Sequence, residues 1–189
     1  MLKNIQDKLA RELSPKRLNH SIGVSQTAAG LAVIYGADHE KAGLAGLLHD
    51  CAREMPNNIL LKIVETSAIV IDGVEKIQPE LLHAPVGAYI ARRDYGIDDQ
   101  EICQAIASHT VGGPQMKLLD QIIFLADFIE PGRDFPGVEK LRKLAQVDLK
   151  KALLAAYDQT ILYLVAKEGL IHNQAIEGRN LLLRQQKKQ

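Results

Sequence analysis

Ala42-Gly43-Leu44-Ala45-Gly46-Leu47-Leu48-His49-Asp50 is the stretch on which the reading of this chain turns. Its small and apolar residues run on without the alternation of a half-buried strand, and it closes on a histidine beside a carboxylate. The rest of the chain follows the same pattern, with apolar residues at three- and four-residue spacing and almost no strand-like alternation. Ser14-Pro15 reads as a helix start, a capping serine before a first-turn proline, with the helix running through His20 to about Tyr35 and stopping at Gly36. Asp38 caps the helix that ends near His49-Asp50-Cys51, and Pro56 opens another. Residues 67–80 are less regular, and Asp72-Gly73 reads as a turn. A helix begins just after His83 at Ala84-Pro85 and runs to Tyr95, with Gly96 as its stop; Asp98 caps the next, which carries Ile102, Cys103 and Ile106 and then His109 before Val111-Gly112-Gly113-Pro114. Leu118 to Ile129 is an apolar helix holding Asp127, broken by Pro131-Gly132. Residues 138–168 make two helices or one bent one, and a last helix starts near Asn173 and frays at Gln185-Gln186-Lys187-Lys188-Gln189. The expectation is all-α, one domain over residues 1–189, with a core at about 15–145 and further helices over 148–185.

Composition narrows the function classes. The chain has 189 residues, 47% hydrophobic and 24% charged, with no Trp. Its 23 basic residues balance its 23 acidic ones, so no global charge draws it to nucleic acid or a membrane surface, and neither is expected as a partner. An anionic substrate needs a local positive cluster instead. Cys51 and Cys103 form no CxxC pattern, no signal-peptide core opens the chain, and no uncharged apolar run approaches the roughly 20 residues that span a bilayer. A cytoplasmic protein with reduced thiols is the expectation.

A His-Asp dipeptide arises roughly 0.4 times by chance in such a composition, so His49-Asp50 alone decides nothing. Its company carries the argument. His20, His49, Asp50, His83, His109 and Asp127 lie on five different predicted helices or helix ends, each among apolar neighbours. Asp127 sits in Ile122-Ile123-Phe124-Leu125-Ala126-Asp127-Phe128-Ile129, where an unpartnered carboxylate costs several kcal/mol, so a buried, partnered aspartate is expected. Imidazole and carboxylate suit iron, manganese or zinc. Four histidines and two aspartates exceed the three protein ligands of a catalytic zinc and suit two ions, with Asp50 as the bridge. His39 reads as exposed and His172 as a helix cap or surface residue.

These residues resemble the HD-domain metal-dependent phosphohydrolases, and more closely the YqeK family. Asn19-His20-Ser21-Ile22-Gly23-Val24, Ala45-Gly46-Leu47-Leu48-His49-Asp50, Leu82-His83-Ala84-Pro85-Val86-Gly87-Ala88 and Ala107-Ser108-His109-Thr110 carry the likeness. The most specific block is Ile123-Phe124-Leu125-Ala126-Asp127-Phe128-Ile129-Glu130-Pro131-Gly132-Arg133-Asp134-Phe135-Pro136-Gly137-Val138. The resemblance implies a helical HD-domain bundle and a symmetrical diadenosine tetraphosphate hydrolase giving two ADP, dependent on iron. It places His20, His49, Asp50 and Asp127 on one metal and Asp50, His83 and His109 on the second. The chain departs from the family at Leu18, where an aromatic is common, and at Cys51-Ala52-Arg53, where Tyr-Ala-Lys is frequent.

In the mechanism that follows, Asp50 supports a metal-bridging hydroxide that attacks phosphorus. Arg17, Arg53 and Arg133 are the candidate phosphate clamp, with the Thr110 hydroxyl and the amides of Gly112 and Gly113 as further donors. The nearest rivals are HD phosphohydrolases of guanosine alarmones, deoxynucleotides or cyclic nucleotides. A non-catalytic metal- or nucleotide-binding regulatory module and a purely structural helical domain are the rivals from other classes. A homodimer is expected only from the resemblance.

Overall fold

The computed structural model describes residues 2–187 and is helical throughout, with no strand among them. Helix α1 (Leu2–Glu12) opens the chain, a helix that the sequence pattern did not predict; it buries Ile5 and Leu9, and Leu13 just past its end, a four-residue spacing that lays one side on the bundle. Helix α2 (Pro15–Tyr35) starts where Ser14 accepts the Arg17 amide and ends at Gly36, whose φ of 72° is one glycine adopts without strain. Helix α3 (His39–Leu48) follows, capped by Asp38. Helix α4 (Asn57–Thr66) begins after Pro56.

Two local expectations change here. Asp72 does not make a bare turn: its carboxylate accepts the amides of Val74 and Glu75, and Glu75 reaches back to the Asp72 amide, a reciprocal cap that nucleates the short helix α5 (Gly73–Ile77). A 3₁₀ turn (Pro79–Leu82) then feeds α6 (His83–Tyr95), which ends at Gly96. Helix α7 (Gln100–Ser108) is capped by Asp99, not Asp98, because the Asp99 side chain is the one that accepts the Glu101 and Ile102 amides.

Helix α8 spans Leu118–Ile129 as expected. The stretch 138–168 resolves into two helices, α9 (Val138–Ala145) and α10 (Leu149–Ala166), the second capped by Asp148. Helix α11 (Asn173–Gln186) is capped by His172 and takes in Gln185 and Gln186; Lys188 and Gln189 of the expected frayed tail lie outside the described residues.

Helix α2 packs along α3 and α8, α7 bridges α3, α6 and α8, and α10 closes over α8, α9 and α11. The α2–α3 contact is close because α3 presents glycine there: Ser25 Oγ donates to the Gly43 carbonyl at 2.7 Å, and Gly46 faces the α2 backbone at Val24 and Ser25. Helix α8 buries Ile122, Ile123, Phe124 and Leu125, each worth roughly 1.5–3 kcal/mol of apolar burial, which anchors Asp127 on the core's central helix. Among the described residues no helix is long and apolar enough to cross a membrane.

Candidate metal centre

Five elements converge on one point. His20 comes from the second turn of α2, His49 and Asp50 from the end of α3, His83 from the start of α6, His109 from the end of α7 and Asp127 from α8. All six residues expected from the sequence therefore fall in a single cluster. Asp50 is its centre, 3% exposed, and its two oxygens divide the histidines. Oδ2 lies 3.6 Å from His20 Nε2 and 3.4 Å from His49 Nε2, while Oδ1 lies 3.3 Å from His83 Nε2 and 3.5 Å from His109 Nε2. Asp127 Oδ1 joins the first half, 3.0 Å from His20 Nε2 and 3.7 Å from His49 Nε2. Asp127 is half-buried rather than fully buried, and partnered as expected.

The ring orientations have a local cause. His49 and His109 cap the C-terminal ends of α3 and α7, and His83 caps the 3₁₀ turn. Carbonyls at the end of a helical turn are short of helix-ladder partners and have room for a side-chain donor. Each of these rings bonds one in the turn that it closes: His49 Nδ1 the Gly46 carbonyl at 2.7 Å, His109 Nδ1 the Ile106 carbonyl at 2.7 Å, and His83 Nδ1 the Glu80 carbonyl, always three residues back. A carbonyl only accepts, so each Nδ1 carries the proton and each neutral ring turns its Nε2 lone pair inward. His20 Nδ1 instead meets a carboxylate oxygen, Glu130 Oε1, at 3.0 Å.

Lone pairs then face lone pairs. His20 Nε2 and His49 Nε2 are 3.2 Å apart, and His83 Nε2 and His109 Nε2 are 3.1 Å apart. Two acceptors at that distance attract only through a cation shared between them, a proton or a metal ion. The negative ends of α3 and α7 and the two carboxylates add to that demand for positive charge. The titration of the cluster agrees. When protons fill those lone pairs, the charge of His49 and hydrogen bonds from His109, His49 and His83 outweigh burial and hold the Asp50 carboxyl far below the usual carboxylate range. Asp127 is likewise held low against burial by His20, His49 and Arg133. Burial opposes the charging of His49, yet Asp50 beside it keeps that histidine above its ordinary value; His83 is pushed below its own mainly by burial. The donor set fits one or two divalent transition-metal ions, with imidazole and carboxylate ligands oriented by a second layer of hydrogen bonds.

The residues expected to touch substrate are distributed unevenly. Arg17 Nη1 donates to Asp50 Oδ2 at 2.6 Å, and Arg133 bonds both the Asp127 carboxylate and, at 2.7 Å, its carbonyl. Both arginines, with Lys16, Asn19, Gln26 and His20, line a cleft of about 790 Å³ beside the cluster. That volume is of ligand size. Arg53 is half-buried and lies outside that lining, where its neighbour Glu54 stands instead. Thr110 Oγ1 is 3.1 Å from both His83 Nε2 and His109 Nε2. The amides of Gly112 and Gly113 are not free donors, contrary to expectation. Gly112 donates to the Ser108 carbonyl at 2.8 Å and Gly113 to the Tyr157 hydroxyl at 2.9 Å.

Two residues join the site that the sequence pattern did not single out, Glu130 and Tyr157. Glu130 lies three residues after Asp127, a spacing that puts both on one side of the helix end and was visible in the sequence. Tyr157 of α10 carried no such signal; its ring stacks on Phe124 and its hydroxyl pins the loop after Thr110, which ties the C-terminal helices to the cluster. Asp72, Glu75 and His172 form a second grouping. There His172 Nδ1 accepts the Gln174 amide, so the neutral ring's proton sits on Nε2, 3.1 Å from Asp72 Oδ2. The two meet between the caps of α5 and α11 without hydrogen-bond geometry, and His172 Nε2 is buried with no hydrogen-bond partner.

A family model described as HD domain matches residues 17–132. The chain is 44% identical, over 93% of its length and 93% of the relative's, to the symmetrical bis(5'-nucleosyl)-tetraphosphatase of Halalkalibacterium halodurans. It is 41% identical to the enzyme of that name from Bacillus subtilis, over 83% of this chain and 84% of that one. The crystal structure of a predicted HD superfamily hydrolase involved in NAD metabolism, from Clostridium acetobutylicum, matches with a TM-score of 0.95 and 43% identity over 98% of both chains. The chain belongs to the HD-domain family.

Proposed function

We propose that this chain hydrolyses diadenosine tetraphosphate symmetrically to two ADP, using two divalent transition-metal ions, iron first and manganese or zinc as alternatives. His20, His49, Asp50 and Asp127 would hold one ion, and Asp50, His83 and His109 the other. The observation that carries the reading is the pair of facing lone-pair contacts, 3.2 and 3.1 Å, on either side of one carboxylate at the wall of a cation-lined cleft. Relatives at 40–44% identity bearing the symmetrical tetraphosphatase name supply the substrate. Bound ions of this kind lower the pKa of coordinated water and polarise phosphoryl oxygens.

The chain's own residues do the rest. Asp50, kept ionised, presents one oxygen to each half of the cluster, so it sets the separation of the two halves. The carbonyls of Gly46, Glu80 and Ile106 fix three of the rings before substrate arrives, and no reorganisation is needed at the moment of reaction. Arg17 and Arg133, at 28% and 37% side-chain exposure, stand where the cluster meets the cleft. They are the proposed contacts to the phosphate chain, where charge grows on the departing ADP. Thr110 is a further contact and Arg53 completes the proposed set; Gly112, its amide given to the Ser108 carbonyl, drops out of it.

The two buried cysteines fit a reducing cytoplasm, which we propose as the location. A homodimer is the remaining expectation of the resemblance, and sedimentation of the metal-loaded protein reads it. The function is tested with a substrate panel on iron- and manganese-loaded protein: diadenosine tetraphosphate, guanosine tetraphosphate alarmone, deoxynucleoside triphosphates and cyclic nucleotides. Preference for diadenosine tetraphosphate by an order of magnitude or more supports the reading. Comparable turnover of another class, or protein that carries no metal from metal-replete medium, overturns it.

A further inference from the structure

Three of the four histidines owe their orientation to the chain ends on which they sit, and one does not. His49, His83 and His109 each bond a carbonyl three residues back, in the turn that they close. His20 lies inside α2, where the carbonyls one turn back are committed to the helix ladder. It is also the most exposed of the four, at 10% for its side chain against 0%, 5% and 2%. Its Nδ1 is held by the Glu130 carboxylate instead.

Glu130 is 4% exposed and built into place. Oε1 accepts from His20 Nδ1 at 3.0 Å, and Oε2 accepts from the Gly132 amide at 2.6 Å. Its own carbonyl takes the Arg133 amide at 2.9 Å and Arg142 Nη2 at 2.7 Å, so the backbone that carries the carboxylate is fixed as well. On the opposite side α2 has a glycine at Gly23: a Cβ there would come 2.5 Å from Oε2. The helix thus leaves room for this carboxylate one turn beyond the histidine that it holds.

We propose that Glu130 is a positioning residue that makes the His20–His49–Asp127 half of the cluster the tighter of two unequal metal positions, a proposal that rests on the metal-dependent reading above. A carboxylate on Nδ1–H makes Nε2 a stronger donor than a carbonyl does, and fixes the plane of the ring. The other half has only carbonyls behind its rings. The two positions therefore differ in affinity, and Gly23 is the space that permits the difference.

The test is calorimetric titration of the metal-free protein with Mn²⁺, with unfolding of the metal-free form measured in parallel. Wild type should bind two equivalents, the first more tightly. Glu130→Gln keeps the size but removes the charge, and leaves either His20 or the Gly132 amide facing an NH₂ group. It should weaken the tighter equivalent about 10–100-fold and leave the weaker one unchanged. His83→Ala, which removes a donor from the other half, should weaken the other equivalent instead. Gly23→Ala reaches the same carboxylate from the α2 side, the added methyl pressing on Oε2 while favouring the helix. It should displace the Glu130 carboxylate and weaken the tighter equivalent, with the parallel melt of the metal-free protein separating that loss from any loss of fold. Two unchanged affinities in both variants, or equal weakening of both equivalents, would overturn the assignment of Glu130 while leaving the two-metal reading intact. A wild type that binds no Mn²⁺ would overturn both.

Discussion

Gly46→Ala puts the geometry of the α2–α3 seam to the test. A Cβ at residue 46 would stand 2.9 Å from Ser25 Cα, 3.0 Å from Ser25 N and 3.0 Å from the Val24 carbonyl oxygen. All three belong to the α2 backbone, which cannot swing aside as a side chain can. Carbon contacts settle near 3.5–4.0 Å, so α3 must withdraw from α2 by roughly 0.6–1 Å. Overpacking of this kind costs about 1–3 kcal/mol, partly offset by about 0.5–1 kcal/mol from replacing a helical glycine. At about 2–4 °C per kcal/mol for a chain of this size, the metal-free protein should melt lower by up to roughly 10 °C. The displacement also parts His49, at the end of α3, from His20 on α2. A misplacement near 1 Å costs on the order of 100-fold in rate, and the first half of the cluster should lose its metal. Gly43→Ala is the internal control: its Cβ would meet Ser25 Oγ at 3.6 Å and Ala29 Cβ at 3.9 Å, ordinary contacts, and it should be neutral or stabilising by up to about 1 kcal/mol. Scanning calorimetry and metal content on the two variants decide the matter. If Gly46→Ala melts with Gly43→Ala and keeps its metal, the seam does not position the site as argued.

Asp50→Ala should remove both metal equivalents and reduce turnover to background, since both halves of the cluster lean on its two oxygens; turnover near wild type would take Asp50 out of the mechanism. The Cys51 thiol, buried and close to the Asp50 charge, is pushed up to about 12. Native protein should leave it unalkylated by iodoacetamide at pH 8, and rapid labelling without unfolding would contradict that burial. Burial also raises the Asp120 carboxyl above its ordinary value, against the hydrogen bond from the Lys117 amide. A raised carboxylate favours folding below its unfolded pKa, near 3.9, and opposes it as the group ionises at higher pH. Asp120→Asn should therefore melt higher than wild type at pH 7, with the gain shrinking toward pH 4; a loss at pH 7 would refute the sign.

The sequence was most legible where chemistry and burial conflict. A carboxylate amid Ile122–Ile129 and histidines amid small apolar residues had to find partners, and all six fall in one cluster because each sits at a helix position that can turn inward. Helix stops at Gly36 and Gly96 were equally readable, since each takes a backbone angle that favours glycine. What could not be read was which groups are already engaged. The Gly112 and Gly113 amides look like open donors in a glycine-rich loop, yet Ser108 and Tyr157 occupy them, and Tyr157 arrives from a helix more than forty residues away. Nor does spacing alone say that Gly46 meets a backbone while Gly43 meets only side-chain atoms and one carbonyl at ordinary distance. Helix α1 escaped notice because its apolar residues are few, and their burial depends on the surface that the rest of the bundle offers.

Symmetrical hydrolysis is defined by which bond is broken. Diadenosine tetraphosphate incubated with the metal-loaded protein in ¹⁸O-water, with the nucleotides separated and weighed by mass spectrometry, tests it most directly. Attack of one water on either central phosphorus gives two ADP, one with a single ¹⁸O on its terminal phosphate and one with none, so the account predicts ADP as the sole product, half of it labelled. ATP and AMP in equal amounts, whichever of them carries the label, would contradict it.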